Sequence, residues 1–194
     1  MANTTNTTKA TPAKIYGDAG LIYIRYDAQM VTNSNGDKKI SGSRPPFKDI
    51  KEQIKYGPGS GKYSSLLMGR QFKPGRWSIL LDFDNKADDA AQSGLDLDKK
   101  LNMDQYDAPT QNTPSGGLHY IFYVDAEQKK HITSRTTITY QGVKYNMDVK
   151  FDNGLCNCAP SKIEGYGNYT WSDGSIDRLK KNPKAPQRAL RDDH

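Results

Sequence analysis

Cysteine is scarce in this chain: two in 194 residues, Cys156 and Cys158, separated by one residue. On a strand that spacing turns both side chains to one face, too strained for an ordinary disulfide, so two reduced thiols packed on a strand are expected. A zinc site would need two further Cys or His ligands, and the three histidines stand far apart in sequence at His119, His131 and His194. Long apolar runs are missing too. Nothing approaches the roughly 20 residues of a membrane span. The opening MANTTNTTKATPAK has no apolar core of the kind a secretory signal carries, so an intracellular location is expected.

Apolar residues make up 35 % of the chain and charged ones 26 %, the balance of a globular protein with a lean core. Positive charge prevails: 28 Lys and Arg against 22 Asp and Glu, a net +6. That excess favours an anionic partner such as nucleic acid or nucleotide.

Residues 1–14, rich in Asn, Thr and Ala, read as a disordered lead-in. Strand patterns follow at 21–27, 65–68 and 76–85. Phe47, Ile50 and Ile54 place a helix over 47–56, bounded by Pro45-Pro46 and Gly57-Pro58. Residues 86–106 are charged and predict a loop with a short helix. Further strands are expected at 118–125, 136–140, 143–152, 155–159 and 169–171, with Gln141-Gly142 at a hairpin tip. The basic tail, 177–194, reads as mobile. The expectation is an α+β fold with one antiparallel-rich sheet, its catalytic or binding domain spanning 15–176.

Strand alternation singles out candidate chemistry. In WSILLDFD, Trp77, Ile79, Leu81 and Phe83 take one face; Ser78, Leu80, Asp82 and Asp84 take the other. Two carboxylates about 7 Å apart along a strand are within reach of a shared cation. In YNMDVKFD, Asp148 shares a polar face with Lys150 and Asp152. If the two strands are neighbours, Asp148 completes a three-carboxylate cluster, whose mutual repulsion divalent cations would relieve. Asp152, beside Asn153-Gly154, reads as a solvated strand-end residue. Between these strands, Ser115-Gly116-Gly117 permits close backbone approach and offers amide hydrogens to a phosphate. His119 follows on the face opposite Leu118 and Tyr120.

Two motifs are decoys. GPGSGKYS, at 57–64, resembles a phosphate-binding P-loop, but tyrosines stand at 56 and 63 where glycine and Ser or Thr are required, and a helix rather than a strand precedes it. DLDKKLNMD, at 96–104, lacks the Asp or Asn and the glycine that a calcium loop needs at its fifth and sixth positions.

Asp82-Phe83-Asp84 after an apolar run, Ser115-Gly116-Gly117-Leu118-His119, Asp148 after an apolar residue, and Ala159-Pro160-Ser161 followed by Tyr169-Thr170-Trp171 occur in that order. The chain thereby resembles the archaeo-eukaryotic primase superfamily, most closely the bifunctional primase-polymerases of plasmids, phages and large DNA viruses, over roughly residues 15–171. The resemblance implies an RRM-like sheet with flanking helices joined to a small N-terminal α/β unit. It implies a DNA primase and polymerase core, a template-directed nucleotidyltransferase working through two Mg2+ or Mn2+ ions held by Asp82, Asp84 and Asp148. His119 would contact the nucleotide's phosphates, with Ser115, Gly116 and Gly117 shaping the pocket. Ser161, Lys162 and Arg44, which precedes a Pro-Pro, would add nucleotide contacts. Single-stranded template, primer and (d)NTPs are the implied partners, with a helicase and a helical priming module, fused or separate. Relatives with a zinc stem carry cysteines that this chain lacks, so no zinc is expected. A metal-dependent nuclease and a non-catalytic RRM-type binding module remain the alternatives.

Overall fold

The computed structural model describes residues 10–27, 30–32, 36, 38–40, 47–163 and 165–191. Helix α1 (Pro12–Asp18) starts on Thr11, whose side chain accepts from the Lys14 amide, with proline in the first turn where its missing N–H costs nothing. Next come β1 (Ile22–Tyr26), β2 (Met30–Thr32), β3 (Lys38–Ile40) and α2 (Phe47–Tyr56), then β4 (Tyr63–Leu67), β5 (Gln71–Lys73) and β6 (Arg76–Phe83). Helix α3 (Gly94–Leu101) leads to β7 (Thr110–Asn112), β8 (Leu118–Val124) and α4 (Ala126–Lys129). The rest is short strands, β9 (Ile138–Tyr140), β10 (Val143–Tyr145), β11 (Met147–Lys150), β12 (Leu155–Asn157), β13 (Lys162–Ile163), β14 (Gly167–Asn168) and β15 (Thr170–Trp171), followed by α5 (Ser175–Arg178). The fold is α+β. Among the described residues no helix is long and apolar enough to cross a membrane.

A six-stranded antiparallel sheet in the order β11-β6-β8-β7-β15, with β5 also on β6, forms the centre. Its odd-numbered face on β6 (Ile79, Leu81, Phe83) packs with Tyr120, Phe122, Val124, Met147 and Val149 against Leu97 and Leu101, one turn apart on α3. Burying each such side chain contributes about 1.5–3 kcal/mol. The opposite face is not open. A three-stranded sheet, β1-β4-β12, lies over it, and Leu80 and Ile121 meet Leu66, Met68, Cys156 and Cys158 in a second core that also takes in Tyr16 of α1.

The helix at 47–56 and the Gln141-Gly142 turn form where pattern and turn chemistry place them, both turn residues at positive φ. Three expectations are corrected. The lead-in ends earlier than residue 14, because α1 begins at Pro12 and buries Tyr16. The strand pattern over 143–152 breaks at Asn146: β10 pairs with β9 while β11 pairs with β6. Residues 177–191, expected to be mobile, are packed against the domain. Tyr123 of β8 donates to Pro183 O and accepts from the Ala185 amide, and Leu179, Ala185, Ala189 and Leu190 are buried. The apolar residues within a basic segment supply its anchoring surface.

Candidate metal centre

Antiparallel register sets the site. Asp82 of β6 stands opposite Asp148 of β11 on one side and opposite His119 of β8 on the other, and His119 stands opposite Gln111 of β7. Residues directly opposite share a sheet face, with Cβ atoms about 4.5–5.5 Å apart. Asp148, Asp82, His119 and Gln111 therefore form one polar row across four strands, beneath the end of the smaller sheet. The row is half-sunk: the side chains of Asp148 and Asp82 are 16 % and 15 % exposed, that of His119 only 2 %.

Asp84 lies just past the end of β6 and is held by its backbone. Its amide donates to Asn146 O at 3.2 Å, and its carbonyl accepts from the Gly94 amide at 2.8 Å. Gly94 is required here. A Cβ on it would overlap Asn146 O and come within 2.7 Å of the Asp84 nitrogen.

The electrostatics follow from three carboxylates sharing two cations. Lys150 pairs with Asp148, and His119 Nε2 is 3.2 Å from Asp82 Oδ1. Burial pushes the Asp82 carboxyl up, but His119 and Lys150 outweigh it and hold it below the ordinary carboxylate value. The same attraction overcomes burial at His119 and raises the imidazole well above its usual value. Asp148 is raised, by burial and by Asp82, against the pull of Lys150. Asp84 is pushed up to about 6, first by burial and then by Asp82 and Asp148. Although close, His119 is not aligned to hydrogen-bond Asp82, and the buried Asp82 Oδ1 has no hydrogen-bond partner. A buried, charged oxygen without a donor is where a cation is most needed.

The aspartates are near one another but are not the tightest cluster. Among the described residues, the set of Asp, Glu, His and Cys ligand atoms lying within 4.8 Å of one another is Asp82, His119 and Cys156. Cys156 arrives from β12 in the covering sheet, its sulfur 3.8 Å from both ring nitrogens of His119. The ring of Tyr169 lies beside the imidazole itself, tilted by 36° with centroids 5.4 Å apart. His119 therefore presents its nitrogen to Asp82 within the protein rather than to an open phosphate pocket.

The remaining expected residues divide. Ser115-Gly116-Gly117 forms a turn on the end of β6: a Cβ on Gly117 would sit 2.5 Å from Phe83 O, and Gly116 has φ 82°. Its amides are not all offered outward, because Gly116 donates to Thr113 O and Gly117 to Thr113 Oγ1. Ser161 is buried, its hydroxyl accepting from the Ser64 amide at 2.6 Å and lying 3.2 Å from Ser64 O. That corrects its expected nucleotide contact, since the backbone of β4 already engages the oxygen. Lys162 is exposed on β13, and Arg44 lies outside the described residues. Asp152 caps elsewhere, accepting from the Ser134 amide. The Gly57–Lys62 loop follows α2, and Asp96 to Leu101 lie in α3, so neither decoy has its motif's context.

Sequence reading missed Gly94 and Cys156 as parts of the site. Gly94 carried a usable signal, a glycine directly after the Ser93 N-cap, but Cys156 carried none, since only the packing of β12 over β8 brings it to His119. No protein-family model matches the chain, and no curated protein matches its sequence.

Proposed function

We propose that the chain is a template-directed nucleotidyltransferase, the catalytic core of a DNA primase-polymerase on an RRM-like sheet, acting at the Asp82, Asp84 and Asp148 end of β6 and β11. The observation that supports it most is the cross-strand row. Residues 66 positions apart are brought face to face with like charge, next to a buried Asp82 oxygen that lacks a donor.

The donor set fits hard cations. Three carboxylates suit Mg2+ or Mn2+, and Lys150 now occupies the place of positive charge beside Asp148. Bound between Asp82, Asp84 and Asp148, such ions would activate a primer 3′-hydroxyl and neutralise charge on the transferred phosphoryl group. The protein's own part is positioning. His119 keeps Asp82 ionised, Gly94 and Asn146 fix the Asp84 backbone, and the Gly116-Gly117 turn packs closely against Asn85 and the end of β6. The net positive charge would hold template and (d)NTPs nearby.

A binding module of RRM type would need an open sheet face bearing aromatic side chains. Here that face carries Asp, His and Gln and is overlaid by β1-β4-β12.

The test is primer extension with Mn2+ and labelled nucleotides on single-stranded template. Extension that vanishes in Asp82→Ala is the expected result. Shortened strands would instead mark a nuclease, and binding without product, unaffected by Asp82→Ala, would mark a binding module.

A further inference from the structure

The geometry points to a second metal-binding mode at the same end of the sheet: we propose that Asp82, His119 and Cys156 capture a thiophilic divalent cation, zinc foremost, and that this ion inhibits the protein. The inhibitory half rests on the nucleotidyl-transfer reading; the binding half does not.

The argument is metric. Zinc bonds of about 2.3 Å to sulfur, 2.0–2.1 Å to nitrogen and 2.0–2.2 Å to oxygen in a tetrahedron require edges of about 3.6 Å between sulfur and nitrogen and about 3.3 Å between nitrogen and oxygen. The observed separations are 3.8 Å from Cys156 Sγ to His119 Nε2 and 3.2 Å from that nitrogen to Asp82 Oδ1. All three ligand atoms lie within 4.8 Å of one another. His119 and Cys156 are 2 % and 5 % exposed, which encloses the ligands, and the buried Asp82 Oδ1 has no hydrogen-bond partner to give up. Because the sulfur is equidistant from both ring nitrogens, the thiol has to swing toward Nε2 to close the tetrahedron. The partly exposed Asp82 side chain provides the entry. A thiolate and an imidazole select zinc over magnesium, whereas the carboxylates of Asp84 and Asp148 favour the harder ion. Both modes draw on Asp82, and a zinc ion there withdraws that carboxylate's charge and lone pairs from the harder ions, so the two compete. The same three residues do not make a nucleophilic cysteine site, because burial closes Cys156 and His119 off from an acyl substrate.

Cys158 provides the control. It is also buried and reduced, two residues away, but it is not part of the cluster. The metal-stripped protein is titrated with Co2+, and the sulfur-to-cobalt charge-transfer band is followed; Zn2+ is then used to displace the cobalt. The expected result is one equivalent with a thiolate band in the wild type and in Cys158→Ser, and no band in Cys156→Ser. Zn2+ affinity should fall roughly a hundredfold or more in Cys156→Ser and Asp82→Asn, since losing even an outer partner of a zinc ligand costs about 10- to 100-fold. A wild type without the band, or a band that survives in Cys156→Ser, overturns the proposal. The wild-type spectrum decides even if a variant folds poorly. In the extension assay, micromolar-range zinc should inhibit the wild type and spare Cys156→Ser, and equal inhibition of both would refute the shared-ligand mechanism. Absence of extension altogether would count against the polymerase reading alone, because the cobalt band is read independently.

Discussion

Replacing Asp84 with asparagine should stabilise the metal-free protein while removing its activity. The Asp84 carboxyl is pushed from 3.8 up to about 6 by burial and by Asp82 and Asp148. At about 1.36 kcal/mol per pKa unit this is at most about 3 kcal/mol, and solvent screening at a half-buried group reduces it to about 1–2 kcal/mol. The sign follows from linkage. A carboxyl raised in the folded state contributes stability that is fully present below its unfolded value, near 4, and is lost as pH rises through about 6. Urea unfolding in chelator should therefore find Asp84→Asn about 1–2 kcal/mol more stable than wild type at pH 7, and nearly equal to it below pH 4. Manganese should reverse the order. An ion at about a hundred times its Kd adds about 2.7 kcal/mol to a protein that binds it only when folded. That gain should appear in the wild type and largely vanish in Asp84→Asn. A variant no more stable than wild type at pH 7, or manganese stabilising both equally, would refute the picture of three carboxylates straining against one another for want of a cation.

Three further outcomes are expected. His119→Ala removes one partner of a buried charged pair and should cost about 3–5 kcal/mol in chemical unfolding; Asp82→Asn in the same chain should recover part of it, and a single-variant loss under 1 kcal/mol would contradict the pairing. Gly94→Ala pushes a methyl into Asn146 O and the Asp84 amide, so it should destabilise by about 1–3 kcal/mol and lower Mn2+ affinity, measured calorimetrically. Deleting residues 177–194 uncovers the sheet where Leu179 and Leu190 pack; at about 1.5–3 kcal/mol each, it should cost at least about 3 kcal/mol, and an unchanged melting midpoint would show the segment to be dispensable.

The assay-relevant geometry was partly legible in the residues themselves. Alternation along 76–85 and 147–150 placed Asp82 and Asp148 on polar faces because a regular strand has a period of two, and β11 pairs with β6 in unbroken register over these residues. The helix at 47–56 and the hairpin at 141–142 were equally local, set by spacing and by turn residues that accept positive φ. By contrast, 143–152 read as one strand because its composition is uniform; the break at Asn146, which donates to Gln92 O, comes from partners distant in sequence.

Alternation and turn chemistry by themselves determined which side chains of one strand share a face and that the fold mixes helix with antiparallel strands. Tertiary structure decided which faces meet. It set Asp148 opposite Asp82 through the β11-β6 register, laid β12 over β8 so that Cys156 reached His119, and anchored the basic tail against β8. It also gave Ser161 to the backbone of β4 and gave His119 to Asp82. Parity is a property of one strand, whereas pairing, burial and the resulting charge balance depend on which strands lie together.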